Sequence, residues 1–203
     1  MKKSSVLSIA LYPPQKIRAK AINIAGGLRG KGAVFALDGK SYFPHINIYM
    51  AEFPEKNLRK IMKLLRSCVR KIKPFSMTAS SIEAGGNGYV GVKYKISKRA
   101  AELQRDIIRT INPLREGLVY DAKGFKFSKP QLRNLKLYGY DNVGRSFHPH
   151  LSLARLKQPA KNVDIKTAAK DFLFTAGRIA LFRTGKYFTC RKILKVFNLG
   201  VDS

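Results

Sequence analysis

The period of hydrophobic and polar positions changes several times along this chain, and each change marks an element. Residues 5–12 (SVLSIALY) read as a strand. Pro13-Pro14 end it, and Pro14 suits the opening of a helix that runs to about Gly26-Gly27. A loop with five glycines follows, GGLRGKGAVFALDGK, and then a strand over 41–50 (SYFPHINIYM). From Pro54 to Ile72 the apolar positions Leu58, Ile61, Met62, Leu65, Cys68, Val69 and Ile72 keep helical spacing. That stripe predicts a docked helix whose other side shows water a basic ridge of Arg59, Lys63, Arg66, Arg70 and Lys73. Residues 75–84 and 89–96 predict paired strands around the turn Gly85-Gly86-Asn87-Gly88. In the second of them Val90, Val92, Tyr94 and Ile96 alternate with Gly91, Lys93 and Lys95. Ser97 caps a helix that reaches Ile111 and stops at Asn112-Pro113. The stretch 113–147 is the least regular, with one short helix after Pro130 (QLRNLKLY). A strand at 149–156, a short helix at 164–171 and two strands at 173–183 and 188–199 around Thr184-Gly185-Lys186 complete the chain. Strands, helices and hairpins in this mixed order give an α+β class, and no linker-like stretch divides the chain.

Composition narrows the picture. The 203 residues hold 40 Lys and Arg against 12 Asp and Glu, a formal charge of +28. With 45% hydrophobic residues the chain can fill a core, so it is not a disordered basic tail. Its length suits one domain, or two closely packed lobes. No apolar run approaches the roughly 20 residues of a membrane span. The opening MKKSSVLSIALYPP has two lysines and a short apolar run, but Pro13-Pro14 cut it off, and a first strand is the better reading than a leader. Cys68 and Cys190 are far apart and fit neither a disulfide framework nor a zinc pattern, which suits a reducing cytoplasm. The charge predicts a polyanionic partner, nucleic acid first, and by itself fits an enzyme or a structural ribonucleoprotein component equally.

One pattern occurs twice. Phe43-Pro44-His45-Ile46-Asn47-Ile48 and His148-Pro149-His150-Leu151-Ser152-Leu153 both reduce to Pro-His-apolar-polar-apolar. On a strand, side chains alternate between faces. His45 and Asn47 therefore share one face and Ile46 and Ile48 the other; His150 and Ser152 do the same against Leu151 and Leu153. Two such strands across a groove would form an acid–base site, because imidazole can both take and give a proton near neutral pH. Asn47 and Ser152 could hold non-bridging phosphate oxygens. No cofactor or metal is expected, since the few acids form no ligand-like cluster. His148 and His150 could chelate a metal as an H-x-H pair, but without nearby carboxylates or cysteines a supporting role for His148 is the better reading.

The paired motifs resemble those of the 2H phosphoesterase superfamily, which includes 2′-5′ RNA ligase-like proteins and cyclic phosphodiesterases. That family carries two H-x-(Thr/Ser)-apolar motifs about a hundred residues apart, and here His45 and His150 are 105 positions apart. The ending Arg178-Ile-Ala-Leu-Phe-Arg183, Gly185-Lys186-Tyr187 and Phe197-Asn198-Leu199 is similar too. The resemblance implies a bilobal, pseudo-symmetric fold over residues 1–203, with two antiparallel sheets around a central groove and helices outside. It implies His45 and His150 as the general acid–base pair and Ser152 as the phosphate-binding hydroxyl. The implied substrate is RNA or a nucleotide with a 2′,3′-cyclic phosphate or a 2′-5′ linkage. Asn47 departs from the pattern; its amide still donates, with a different reach.

The charge is uneven. From Met1 to Leu37 there are seven basic residues and no acid, and from Phe172 to Val201 six and none. Between Asp121 and Asp141, Lys123, Lys126, Lys129, Arg133 and Lys136 interleave with Phe125, Phe127 and Tyr138, a composition that suits a single strand or, equally, a core with a solvated face. Lys123, Lys126 and Phe125 are therefore candidates for lining the groove, and so are Tyr187 and Arg183, which stand beside the family-like ending. Two other functions compete with the enzyme: a non-catalytic RNA-binding module, and a phosphodiesterase of small cyclic nucleotides. No membrane partner and a monomer are expected.

Overall fold

The structure, a computed structural model, describes residues 3–85, 88–121, 126–158, 165 and 167–200. Among the described residues, ten strands and four α-helices follow one another in mixed order, as the α+β reading anticipates. The strands are β1 (Ser4–Leu11), β2 (Ala33–Ala36), β3 (Ile46–Pro54), β4 (Phe75–Met77), β5 (Ala79–Ala84) and β6 (Tyr89–Tyr94), then β7 (His150–Leu156), β8 (Phe174–Ala176), β9 (Arg178–Thr184) and β10 (Cys190–Asn198). The helices are α1 (Gln15–Arg29), α2 (Leu58–Arg70), α3 (Lys98–Ile111) and α4 (Lys129–Tyr138). Two four-stranded sheets, β10-β9-β1-β3 and β2-β7-β6-β5, each carry one histidine motif, and β4 pairs with β8 alone. The pairings are antiparallel.

Local chemistry explains where expectation and structure part. α1 runs through Gly26-Gly27 to Arg29. Interior glycine costs a helix about 1 kcal/mol, but the buried stripe Ile17, Ala21, Ala25, Leu28 continues past both and holds the turn. The expected glycine loop also contains β2, which pairs with β7 and carries Phe35. The strand expected at 41–50 begins only at Ile46. Asp38 accepts hydrogen bonds from the N–H groups of Lys40 (2.8 Å), Ser41 (2.7 Å) and Tyr42 (2.8 Å), so the preceding segment is a tight turn. The helix expected from Pro54 starts as a 3₁₀ turn at Glu55–Asn57 before α2. Residues 75–84 and 173–183 each split into two strands that join different sheets. The helix expected at 164–171 is not formed among the described residues, which leave out 164 and 166: only Ala169–Phe172 is helical, as a 3₁₀ turn. The tip of the 85–88 hairpin also lies outside them.

The irregular stretch 113–147 is held by buried polar anchors. Arg115 is 5% exposed; it donates to Asn112 Oδ1 (3.2 Å) and to the Leu137 carbonyl (3.2 Å) at the end of α4. The Tyr49 hydroxyl of β3 donates to the Tyr138 carbonyl at 2.8 Å. One buried cluster includes Ile46 and Ile48 beneath the first histidine motif and Leu151 and Leu153 beneath the second. The apolar halves of both motifs therefore anchor in the same core.

Candidate active site

His45 sits just before β3 and His150 opens β7. Proline precedes each, which keeps the residue before it extended and carries no N–H of its own. In both motifs the imidazole Nδ1 faces the carbonyl two residues upstream: His45 to Phe43 O at 2.7 Å, and His150 to His148 O at 3.0 Å. A carbonyl only accepts, so each Nδ1 carries the proton and each Nε2 is left as the basic nitrogen. His148 repeats the bond to Ser146 O at 2.6 Å, and its ring stacks on His150 at 5.7 Å. His148 thus supports His150 through its carbonyl and its ring.

Both imidazoles line one cavity of about 490 Å³, together with Asn47, Ser152 and Tyr187. Burial pushes His45 down to about 4, against the bond to Phe43, and nearby His150 lowers it further. Burial also lowers His150, against the His148 carbonyl and with the His148 ring. Both rings are therefore neutral in the free site at pH 7, and protonation becomes easier when an anion enters. Asn47 Oδ1 accepts a hydrogen bond from the Ser8 hydroxyl of β1. That bond commits the carbonyl side of the amide and leaves its NH₂ to donate toward the cavity. In the second sheet Lys93 lies across from His150 and Gly91 across from Ser152. A Cβ on Gly91 would sit 2.9 Å from the Leu151 carbonyl oxygen, so only glycine lets the two strands close at this point. Lys93 also pairs with Glu83 at 2.5 Å.

Gln104 of α3 ties the two motifs together from below. Its Nε2 donates to the Ile48 carbonyl of β3 and to the Asn142 carbonyl, both at 2.9 Å, and its Oε1 accepts from Gly144 N at 3.1 Å. Asn142 Oδ1 in turn accepts from His148 N at 2.8 Å. One buried side chain therefore fixes the first histidine strand and the segment that leads into the second.

One wall of the cavity is aromatic. Phe35 stacks on Tyr42 (5.4 Å) and on Tyr187 (6.2 Å), and Tyr89 meets it edge-on at 6.0 Å. Cations cap these rings: Arg191 lies over Tyr42 at 4.1 Å, and Arg155 over Tyr187 at 5.1 Å and Tyr89 at 5.2 Å. Tyr187 and Phe188 both have positive φ, 63° and 54°, in the turn between β9 and β10. Two successive left-handed non-glycine residues cost on the order of 1–2 kcal/mol each. The surrounding packing bears that cost and sets Tyr187 against the wall.

Five of the sequence candidates come together here: His45, Asn47, His150, Ser152 and Tyr187. Arg183 does not line the cavity. It forms a two-pronged ion pair with Glu55, one contact of which is 2.9 Å, at the far end of β9. Lys126 is exposed and not among the lining residues. Lys123 and Phe125 lie outside the described residues. Sequence reading missed Ser8, Phe35, Tyr42, Tyr89, Gln104, Asp141 and Asn142. It missed Lys93 too, although the alternation of Gly91, Lys93 and Lys95 already placed these on one strand face. Among the described residues no group of three or more His, Cys, Asp or Glu side chains could hold a metal ion. None of the described helices is long and apolar enough to cross a membrane.

Two sheets that each present a Pro-His strand to one cavity define an α+β protein with paired histidine motifs. The sequence profile of the 2′-5′ RNA ligase superfamily matches residues 39–187, which include both histidines, and the chain belongs to that superfamily. The fold is that of its solved relatives. TT0787 of Thermus thermophilus superimposes with a TM-score of 0.65 at 18% identity, over 98% of this chain and 100% of that one. LigT of E. coli complexed with NADP+ gives 0.59 at 14% identity, over 98% and 100%. A structure described as a phosphoesterase gives 0.57 at 14% identity, over 97% and 99%. A search of curated protein sequences found no match.

Proposed function

We propose that the protein is an RNA phosphoesterase that needs no metal. It acts on 2′,3′-cyclic phosphate ends or on 2′-5′ phosphodiester linkages, by hydrolysis or by ligation. One observation carries the reading: two imidazoles line one cavity, each with Nδ1–H fixed to a backbone carbonyl and Nε2 free for proton transfer. In hydrolysis of a cyclic phosphate, water attacks phosphorus in line. One Nε2 takes the water proton, and the other imidazole, protonated once the anionic substrate is bound, delivers a proton to the leaving ribose oxygen. In ligation a 5′-hydroxyl takes the place of water and the two imidazoles keep these roles; in the reverse step, cleavage of the 2′-5′ linkage by the ribose 3′-hydroxyl, they exchange them. The Asn47 amide and the Ser152 hydroxyl donate to the non-bridging oxygens, where charge grows in the transition state.

The aromatic wall supports a nucleotide rather than a bare phosphate ester, because stacked rings suit nucleobases and the capping cations suit the flanking phosphates. LigT of E. coli has been solved with phosphate, 3′-AMP, ATP and NADP+. On this reading residues 1–203 form one domain of two lobes, one sheet to each. The test is turnover, in EDTA, of a panel of 2′,3′-cyclic-phosphate RNA, 2′-5′-linked oligomers and small cyclic nucleotides. We expect turnover of at least one RNA substrate. RNA binding with no turnover of any member would instead show a binding module, and turnover confined to small cyclic nucleotides would overturn the RNA assignment.

A further inference from the structure

We infer that the outer face of α2, together with the edge strand β10, is a second RNA-binding surface, separate from the cavity and without a part in the chemistry. Five of the 13 residues of α2 are Lys or Arg and none is acidic. Arg59, Lys63, Arg66 and Arg70 follow one another at three- or four-residue steps on its exposed side, so like charges stack turn upon turn. Arg59 and Lys60 lie in the first turn, where the helix dipole disfavours cations. The helix is held by the burial of Ile61, Leu65 and Val69 despite this charge pattern. A charge arrangement that works against its own helix is relieved by an external polyanion.

β10 extends the patch. A groove of about 340 Å³ runs between it and α2, lined by Met62, Lys63, Arg66, Lys195 and Phe197, with no acid among them. The groove opens away from the histidines. Lys195 lies across from Leu181, whereas the next residue of β9, Phe182, packs beside His45 at 5.9 Å on the opposite face of the sheet. An RNA strand bound here therefore leaves the cavity open. Nucleic acid fits the patch better than a lipid surface. A membrane-docking face offers protruding apolar side chains between its cations, and the exposed large hydrophobic residues, Ile96, Val119, Leu132, Leu137 and Leu173, all lie outside α2 and β10.

The test is the triple variant Lys63→Gln/Arg66→Gln/Lys195→Gln, beside an α3 control of equal charge loss, Lys98→Gln/Arg99→Gln/Arg105→Gln. Fluorescence anisotropy would follow binding of a single-stranded RNA of about 20 nucleotides ending in a 3′-hydroxyl. That RNA carries no reactive phosphate, so the result does not depend on the catalytic reading. Three lost phosphate contacts should flatten the slope of log affinity against log salt by about 2. Affinity should fall roughly tenfold or more near 0.1 M salt, while the control changes far less. Circular dichroism should show the triple variant folded, since all three side chains are exposed. The charge-keeping variant Lys63→Arg/Arg66→Lys/Lys195→Arg should bind as the parent does. Equal losses in the triple variant and the α3 control, or no loss in either, would overturn the inference. So would a loss of binding to phosphatidylserine vesicles with RNA binding intact, which would make the face a lipid surface.

Discussion

Replacing His45 by Gln removes one titratable group from the interior and keeps a side chain that can donate to the Phe43 carbonyl. The consequence for stability follows from the position of the imidazole. Burial takes it from its ordinary value of 6.5 to about 4. The unfolded chain therefore accepts a proton near pH 6.5, and the folded protein only near pH 4. Between these values the unfolded state binds more protons, so stability declines as pH falls. Each unit is worth about 1.4 kcal/mol, so lowering the pH to 5 costs the parent protein about 2 kcal/mol through this one group. Above pH 6.5 the group contributes no pH dependence. For a chain of this size the loss is a drop of about 4–8 °C in melting temperature. The assay is the melting temperature of parent and His45→Gln from pH 7.5 to pH 5. The Glu55 carboxyl, which its hydrogen bond to Arg183 holds down at about 2, is common to both proteins and drops out of the comparison. The variant should lose markedly less stability across this window. Parallel curves for the two proteins would show that His45 is not held neutral by burial, and the acid–base assignment would lose its electrostatic basis.

Other substitutions test how the site is positioned. Ser8→Ala frees the Asn47 amide to rotate and should lower kcat roughly tenfold, a part of what one lost oxyanion donor costs. KM should hold, and the effect should vanish in an Asn47→Ala background. Gly91→Ala puts a Cβ 2.9 Å from the Leu151 carbonyl oxygen, and both nearest neighbours are backbone that cannot yield. It should cost about 1–3 kcal/mol in urea denaturation, with turnover reduced further because the strain falls beside His150 and Ser152. Gln104→Leu strips partners from the Ile48 and Asn142 carbonyls and from the Gly144 N–H. At about 1–3 kcal/mol for each buried orphan, a loss of roughly 3 kcal/mol or more is expected; an unchanged urea midpoint would refute the proposed tie between the two motifs.

Much of this architecture was legible because period-2 and period-3.6 patterns are local. The repeated Pro-His-apolar-polar-apolar strand located both histidines, and the α2 stripe located its buried face. The shortfalls have physical causes. α1 passes Gly26-Gly27 because tertiary burial of Ala25 and Leu28 outweighs local propensity. β2 is four residues long and exists through its pairing with β7, which no local signal announces. Phe35, Tyr42, Tyr89 and Tyr187 come from four separate segments, so their stack is invisible in any one of them. Arg183 was drawn toward the groove by its place in the family-like ending, but Glu55, 128 residues away in sequence, claims its guanidinium. Tyr140, Asp141 and Asn142 reach the cavity from the stretch with the weakest pattern, where buried side-chain bonds replace regular structure.

Turnover by single-histidine variants tests the central claim most directly. With a 2′,3′-cyclic-phosphate RNA and EDTA present, His45→Ala and His150→Ala should each lose about 10²- to 10⁴-fold in kcat, the usual worth of one general acid or base. RNA affinity should stay within a few-fold of the parent. Turnover near the parent rate in either variant would contradict the two-histidine account.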